Sequence, residues 1–171
     1  YLYAGDPCRP GGIPDILRKK GHMITAIDLK GGQDLIDDAL WCKIHSRIGS
    51  VYDFVLMAPP CGSFSHARGQ GCGPRILRSR TEVLGIKNLS PALTSAESDM
   101  LKTGNYRNTQ CLKTAIVCRT RSVGFAIECP AIVWDDQVSM LMLPHAKELD
   151  KLTDIADIQG DQCMMGADST K

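Results

Sequence analysis

Residues 52–65, YDFVLMAPPCGSFS, say most about how this chain folds. From 52 to 58 the stretch is almost continuously apolar, the pattern of a central parallel strand covered on both faces. Pro59 and Pro60 then stop it. Proline has no N–H to give to a ladder, and it drives the residue before it away from helical geometry. Cys61 is therefore expected to stand clear of the sheet, at the strand's carboxyl end, with small and polar residues behind it.

Upstream, YLYAG (1–5) reads as a short strand ending in glycine, and DPCRPGG as a turn. IPDILRKKG (13–21) reads as a short helix with Pro14 in its first turn and Gly21 as its stop. HMITAIDL (22–29) reads as a second apolar strand with Asp28 near its carboxyl end. Strand, helix and strand in succession form a βαβ unit and point to a mostly parallel α/β sheet. LIDDALWCKIHSRIG (35–49) places Leu40, Ile44 and Ile48 at helical spacing. Downstream, residues 62–94 show no period and read as a long loop, of the kind that is functional or disordered in a compact domain. Residues 95–121 carry a longer helical pattern, and VGFAIEC (123–129) is a further buried strand closed by Pro130. Short helices are expected after it, with a last strand near DIADIQGDQCMMG (154–166).

A chain of 171 residues, 43% hydrophobic and 23% charged, is enough for one domain with a real core. No run approaches 18 uncharged apolar residues, and no basic start leads into an apolar stretch, so neither a membrane span nor a secretory signal is expected. The eight cysteines are irregularly spaced and contain no CxxC pair. That argues for reduced thiols inside a cell, in cytoplasm or nucleus, over a disulfide framework or a structural zinc site, and no metal is expected. Net charge is +1, but Arg68, Arg75, Arg78, Arg80 and Lys87 against Glu82 leave the segment 66–93 at +4. Such a segment directly after the cysteine suits a polyanion, or else a solvated loop.

Two apolar strands thus end in reactive side chains beside proline: Cys61 after Pro59 and Pro60, Glu128 before Cys129 and Pro130. Asp28 and the Gly5 turn fall at the same end of two more. Open α/β sheets bind ligands outside the carboxyl ends of their strands. Four strand ends on one rim make a candidate site.

In this order the segments resemble the C5-cytosine DNA methyltransferases. APPCGSFSHARG resembles their Pro-Pro-Cys-x-x-Phe-Ser loop, FAIECP the strand that carries their glutamate, and YLYAG with AIDL their first two strands. GPRILR, IECPAIVW and DQCMMGADSTK look like the compact branch found with phages and mobile elements. The resemblance spans nearly the whole chain and implies a Rossmann-like, S-adenosylmethionine-dependent methyltransferase fold, with residues 1–171 as its catalytic core. It implies DNA as partner, RNA remaining open, and a flipped cytosine attacked at C6 by the Cys61 thiolate while Glu128 holds N3 and the amino group. Asp28 would take the cofactor's ribose hydroxyls, Gly5 would let the backbone approach its methionine end, and Asp34 would contact the adenine, with Pro59 beside them. Ser65, Arg68, Arg75, Arg78 and Arg80 would meet nucleic acid, and Arg68 is a candidate to lower the thiol pKa.

The chain departs from the family pattern at several points. The glycine turn is AGDPCRPGG, Cys129 stands where asparagine is usual, and no stretch of residues 1–171 is expected to form a target-recognition domain, so a separate recognition domain or subunit is an implied partner. Two other readings compete. One is a catalytically inactive relative that binds nucleic acid or cofactor; the other is a cysteine hydrolase pairing Cys61 with His66 or His145.

Overall fold

A computed structural model of the chain describes residues 1–6, 8–64, 68–69, 73–130, 132, 137–149, 151 and 155–156. At its centre two short strands, β1 (Phe54–Met57) and β2 (Gly124–Ile127), run parallel. Their register pairs Phe54 with Gly124 and Met57 with Ile127. Two more segments lie alongside β1, joined by single bridges. Leu2 donates its N–H to the Leu56 carbonyl (2.8 Å) and accepts from the Ala58 N–H (3.2 Å). Beyond it, Tyr3 N–H donates to the Ile27 carbonyl and Ile27 N–H to the Tyr1 carbonyl, both at 2.9 Å. Across the sheet the order is the Ile27 segment, the Leu2 segment, β1 and β2, all parallel. The chain is α/β, with a small open parallel sheet and helices.

The strands expected at 1–5 and 22–29 are thereby reduced to bridges. Tyr3 (φ +59°) and Gly5 (φ +68°) enter left-handed backbone and turn the first segment away after a single pairing. The second segment pairs with the first through its backbone only at residues 25–27, and Met23 before it is fully exposed.

α1 (Ile13–Lys19) begins with Pro14 in its first turn, as expected, and a left-handed Gly21 follows its end. α2 (Asp38–Arg47) starts three residues later than its periodicity suggested. Asp34 accepts from the Ile36 N–H and Asp37 from the Ala39 N–H, so each aspartate closes a local turn before the helix begins. α3 (Ser95–Thr120) is the longest element, about 39 Å at 1.5 Å per residue. Thr94 and Glu97 start it with a reciprocal capping box. After β2, a 3-10 turn (Met140–Met142) and α4 (Ala146–Leu149) pack together, and α4 rests on α3. The strand expected at 154–166 lies outside the described residues, apart from Ile155 and Ala156, which are not in a strand.

Val55 and Met57 share the core with Cys111, Leu112, Ala115 and Cys118 of α3 and with Trp41 and Ile44 of α2. Cover on both faces of the sheet was expected. Among the described residues full cover is confined to this face: on the other, Phe54 is 59% exposed. Its ring lies over Gly124, where a Cβ would come within 2.8 Å of it.

Candidate active site at the carboxyl rim

β1 ends as its prolines dictate. Pro59 is buried, Pro60 is exposed, and Cys61 emerges exposed at the start of a tight turn. Phe64 N–H closes that turn on the Cys61 carbonyl at 2.8 Å. On the neighbouring strand, Glu128 N–H donates to the Met57 carbonyl (2.8 Å), which carries the ladder one step past β2 and sets Glu128 on the same rim. Glu128 is exposed there. Partial desolvation by the rim, and then the Glu128 carboxylate, push the Cys61 thiol above its ordinary pKa, while a backbone hydrogen bond pulls weakly the other way. The Tyr1 phenol is raised by burial, then by Glu128 and then by Asp28, so both carboxylates reach one hydroxyl electrostatically.

Asp28 fixes the first turn. Its two oxygens accept from the Gly5 N–H (3.1 Å) and the Lys30 N–H (3.0 Å), the latter as cap of the 3-10 turn Leu29–Gly31. A carboxylate offers about four acceptor positions, so each oxygen keeps capacity for a hydroxyl. Nothing lies within 4 Å of a Cβ built on Gly5, so the backbone there is open to close approach by a ligand. Asp34 faces Arg107 of α3, at 3.4 Å.

The basic segment departs most from expectation. Arg75 makes a two-pronged bond to Glu97 (2.8 and 2.7 Å) and donates to the carbonyls of Pro91 and Ala92. Arg68 donates to the Arg75 carbonyl at 3.0 Å and to the Met100 sulfur at 3.3 Å. Arg78, expected at nucleic acid, is buried at 3% exposure. It donates to Ser63 Oγ, Asn105 Oδ1 and the Val83 carbonyl, and its guanidinium stacks 3.9 Å over the Phe64 ring. Guanidiniums satisfy several carbonyls at once, and a loop without secondary structure has many to satisfy. Arg68, Arg75 and Arg78 therefore tie the described parts of this loop, 68–69 and 73–94, onto α3, and Arg80 is exposed. Arg68 is also not among the groups acting on the thiol. Ser65 and His66 lie outside the described residues.

Sequence reading missed the middle of α3. In Gly104-Asn105-Tyr106-Arg107-Asn108 every residue is tied to a different part of the rim or its supports. Gly104 backs onto Ser63, Asn105 binds Arg78 and the Leu84 carbonyl, and Tyr106 hydroxyl donates to Asp38. Arg107 meets Asp34, its carbonyl accepts from the Tyr3 hydroxyl, and Asn108 donates to the Pro60 carbonyl at 3.3 Å. The signal was present: a glycine and two asparagines are poor helix formers and stand mid-helix only when tertiary contacts repay them.

Among the described residues six cysteines are free, and no group of three or more His, Cys, Asp or Glu could hold a metal. No described helix is long and apolar enough to cross a membrane. His45 of α2 is bonded to Thr114 Oγ1 at 2.9 Å.

Comparison with protein-family models, with curated proteins and with solved structures gives no match. The class of this protein therefore rests on the rim itself: a cysteine, a carboxylate and a glycine–aspartate turn at adjacent ends of a parallel sheet.

Proposed function

We propose that the chain is the core of an S-adenosylmethionine-dependent methyltransferase of Rossmann-like fold that acts on C5 of cytosine in DNA. The observation that carries this reading is that Cys61 and Glu128 stand at the ends of neighbouring parallel strands, with the thiol inside the carboxylate's field. Cytosine C5 is a poor nucleophile. Addition of the Cys61 thiolate to C6 forms an S–C6 bond and moves the ring electrons toward C5, dividing one hard step into two. Glu128, sharing a proton with N3, makes the ring a better electrophile. Bound S-adenosylmethionine would supply an electrophilic methyl group. The open backbone at Gly5 and the spare acceptor positions of Asp28 fit its methionine end and ribose. Loss of the C5 proton and cleavage of the S–C6 bond then restore both enzyme and base. A base in a duplex must be flipped out to meet this pair.

DNA containing 5-fluorocytosine has no removable C5 proton, so with cofactor it should leave a covalent complex that Cys61→Ala abolishes. Absence of the complex with the wild-type chain refutes transfer. One observation favours the second reading, an inactive relative that binds nucleic acid or cofactor: among the described residues no cation is one of the groups acting on the thiol, which is raised in the free protein. Cofactor-dependent stabilisation without covalent trapping would select that reading.

A further inference from the structure

We infer that Arg78 is the positioning residue of the reactive turn, holding Cys61 at the rim through Ser63 and Phe64. The inference rests on the methyltransferase reading for its biological meaning, although the contacts do not.

The turn runs from Cys61 to Phe64 and is closed by one backbone hydrogen bond between those two residues. Ser63 and Phe64 are its buried half, and Arg78 holds both. Its Nη2 donates to Ser63 Oγ at 2.9 Å, and its plane covers the Phe64 ring at 3.9 Å. Nη1 is anchored on the far side by Asn105 Oδ1 (2.7 Å) and the Val83 carbonyl. The turn is thus clamped to α3 and to the loop segment 73–94 through one guanidinium. Asn108 adds a second tie, to the Pro60 carbonyl just before the cysteine.

The cost of this arrangement argues against filler. Among the described residues no carboxylate lies within 4 Å of Arg78, and its buried Nε has no hydrogen-bond partner. Burial lowers its pKa to about 10, which leaves it charged at neutral pH. A buried charge without a counter-ion is expensive, and an apolar side chain could fill the same space. What an apolar side chain cannot do is bond three acceptors on three segments while stacking on an aromatic ring. Gly104 is part of the same device: a Cβ there would lie 2.9 Å from Ser63 Oγ and 3.3 Å from Arg78 Nη2.

The test uses the whole chain and iodoacetamide, with peptide-resolved mass spectrometry reading alkylation of Cys61 against pH. Exposed Cys42 serves as internal control. Among the described residues the charged group acting on Cys61 is Glu128, just past the end of β2, and it is left in place. In Arg78→Met the turn is released and Cys61 moves toward water. Its pH midpoint should fall toward that of an ordinary thiol, and its rate at pH 8 should rise by at least about threefold, with Cys42 unchanged. Arg78→Lys keeps the charge, but its compact ammonium lacks the planar fork that reaches acceptors on both sides and stacks on Phe64, so it should resemble Arg78→Met. If Arg78→Met does not fold, Ser63→Ala, which cuts the link from the other end, should shift Cys61 in the same direction. A wild-type Cys61 profile in folded Arg78→Met or in Ser63→Ala overturns the inference, as does full restoration by lysine. Because alkylation needs neither DNA nor cofactor, this result is separable from the fate of the methyltransferase reading.

Discussion

Gly104→Ala sets two large effects against each other, and the site architecture decides the sign. Alanine is favoured over glycine in a helix interior by about 1 kcal/mol, so at an exposed position of α3 the change would stabilise. At 104 the new methyl carbon would sit 2.9 Å from Ser63 Oγ and 3.3 Å from Arg78 Nη2. Neither neighbour can yield freely. Ser63 has a short side chain in a buried turn, and Arg78 is fixed by Ser63, Asn105, Val83 and Phe64. If Ser63 rotates away, a hydrogen bond to a charged group worth about 1.5–3 kcal/mol is lost; if nothing moves, overpacking costs about 1–3 kcal/mol. Subtracting the helical gain of about 1 kcal/mol leaves a net loss of about 0–2 kcal/mol. For a chain of this size that lowers Tm by up to about 8 °C. Thermal and urea unfolding of Gly104→Ala read the sign directly. The Ser63→Ala background, which removes the closest oxygen, should shrink the penalty of Gly104→Ala. A Gly104→Ala protein more stable than wild type by the full helical gain of about 1 kcal/mol would refute close packing of the reactive turn on α3.

Two other consequences are open to measurement. Glu128→Gln removes the carboxylate that raises the Cys61 thiol, so alkylation of Cys61 should shift to lower pH while methyl transfer falls by at least about tenfold; an unmoved alkylation profile takes Glu128 out of the thiol's field, and undiminished transfer takes it out of the chemistry. Glu97 is held at about pKa 2, chiefly by the Arg75 guanidinium and then by the backbone and hydroxyl of Thr94. That is below the unfolded value of about 4.3, so its stabilisation is complete above that pH and is lost as pH falls toward 2. In Glu97→Gln the slope of Tm against pH between 5 and 2 should flatten, and a slope equal to wild type would remove the Arg75–Glu97 clamp from the acid response.

Features set by backbone chemistry were legible in the sequence. Prolines at 59, 60 and 130 mark where β1 and β2 must end, and the structure ends them at Met57 and Ile127. The long helix was expected at 95–121 and runs from Ser95 to Thr120, because a sustained period survives whatever the tertiary context does at its edges. Strand pairing at 22–29 was not legible. An apolar run announces burial, and whether a neighbour stays alongside depends on left-handed backbone at Tyr3, which no pattern of side chains records. The bonding of Arg68, Arg75 and Arg78 was not legible for a related reason. Charge counts assign them to solvent or to a polyanion, whereas a long loop consumes guanidiniums to satisfy its own carbonyls. Only a partner's identity, such as Glu97 for Arg75, separates the two cases, and that partner is 22 residues away.

The pairing of Cys61 with Glu128 contains an apparent contradiction: the group proposed to assist attack also suppresses the thiolate that must attack. The contradiction dissolves if the two protonation states are coupled through the base. While the rim holds only solvent, partial desolvation and then the Glu128 charge hold the Cys61 thiol above its ordinary pKa and slow its reaction with stray electrophiles. Once Glu128 shares a proton with N3 of a cytosine, its negative charge is diminished and the main Coulombic brake on the thiol is released. Desolvation by the incoming base acts in the opposite sense, so activation requires that relief of charge outweigh added burial. That requirement orders the events: base capture first, thiolate second, covalent bond third. It also explains why a lowered thiol pKa, usually sought as the mark of a reactive cysteine, is absent from the free chain without that absence alone making the site inert.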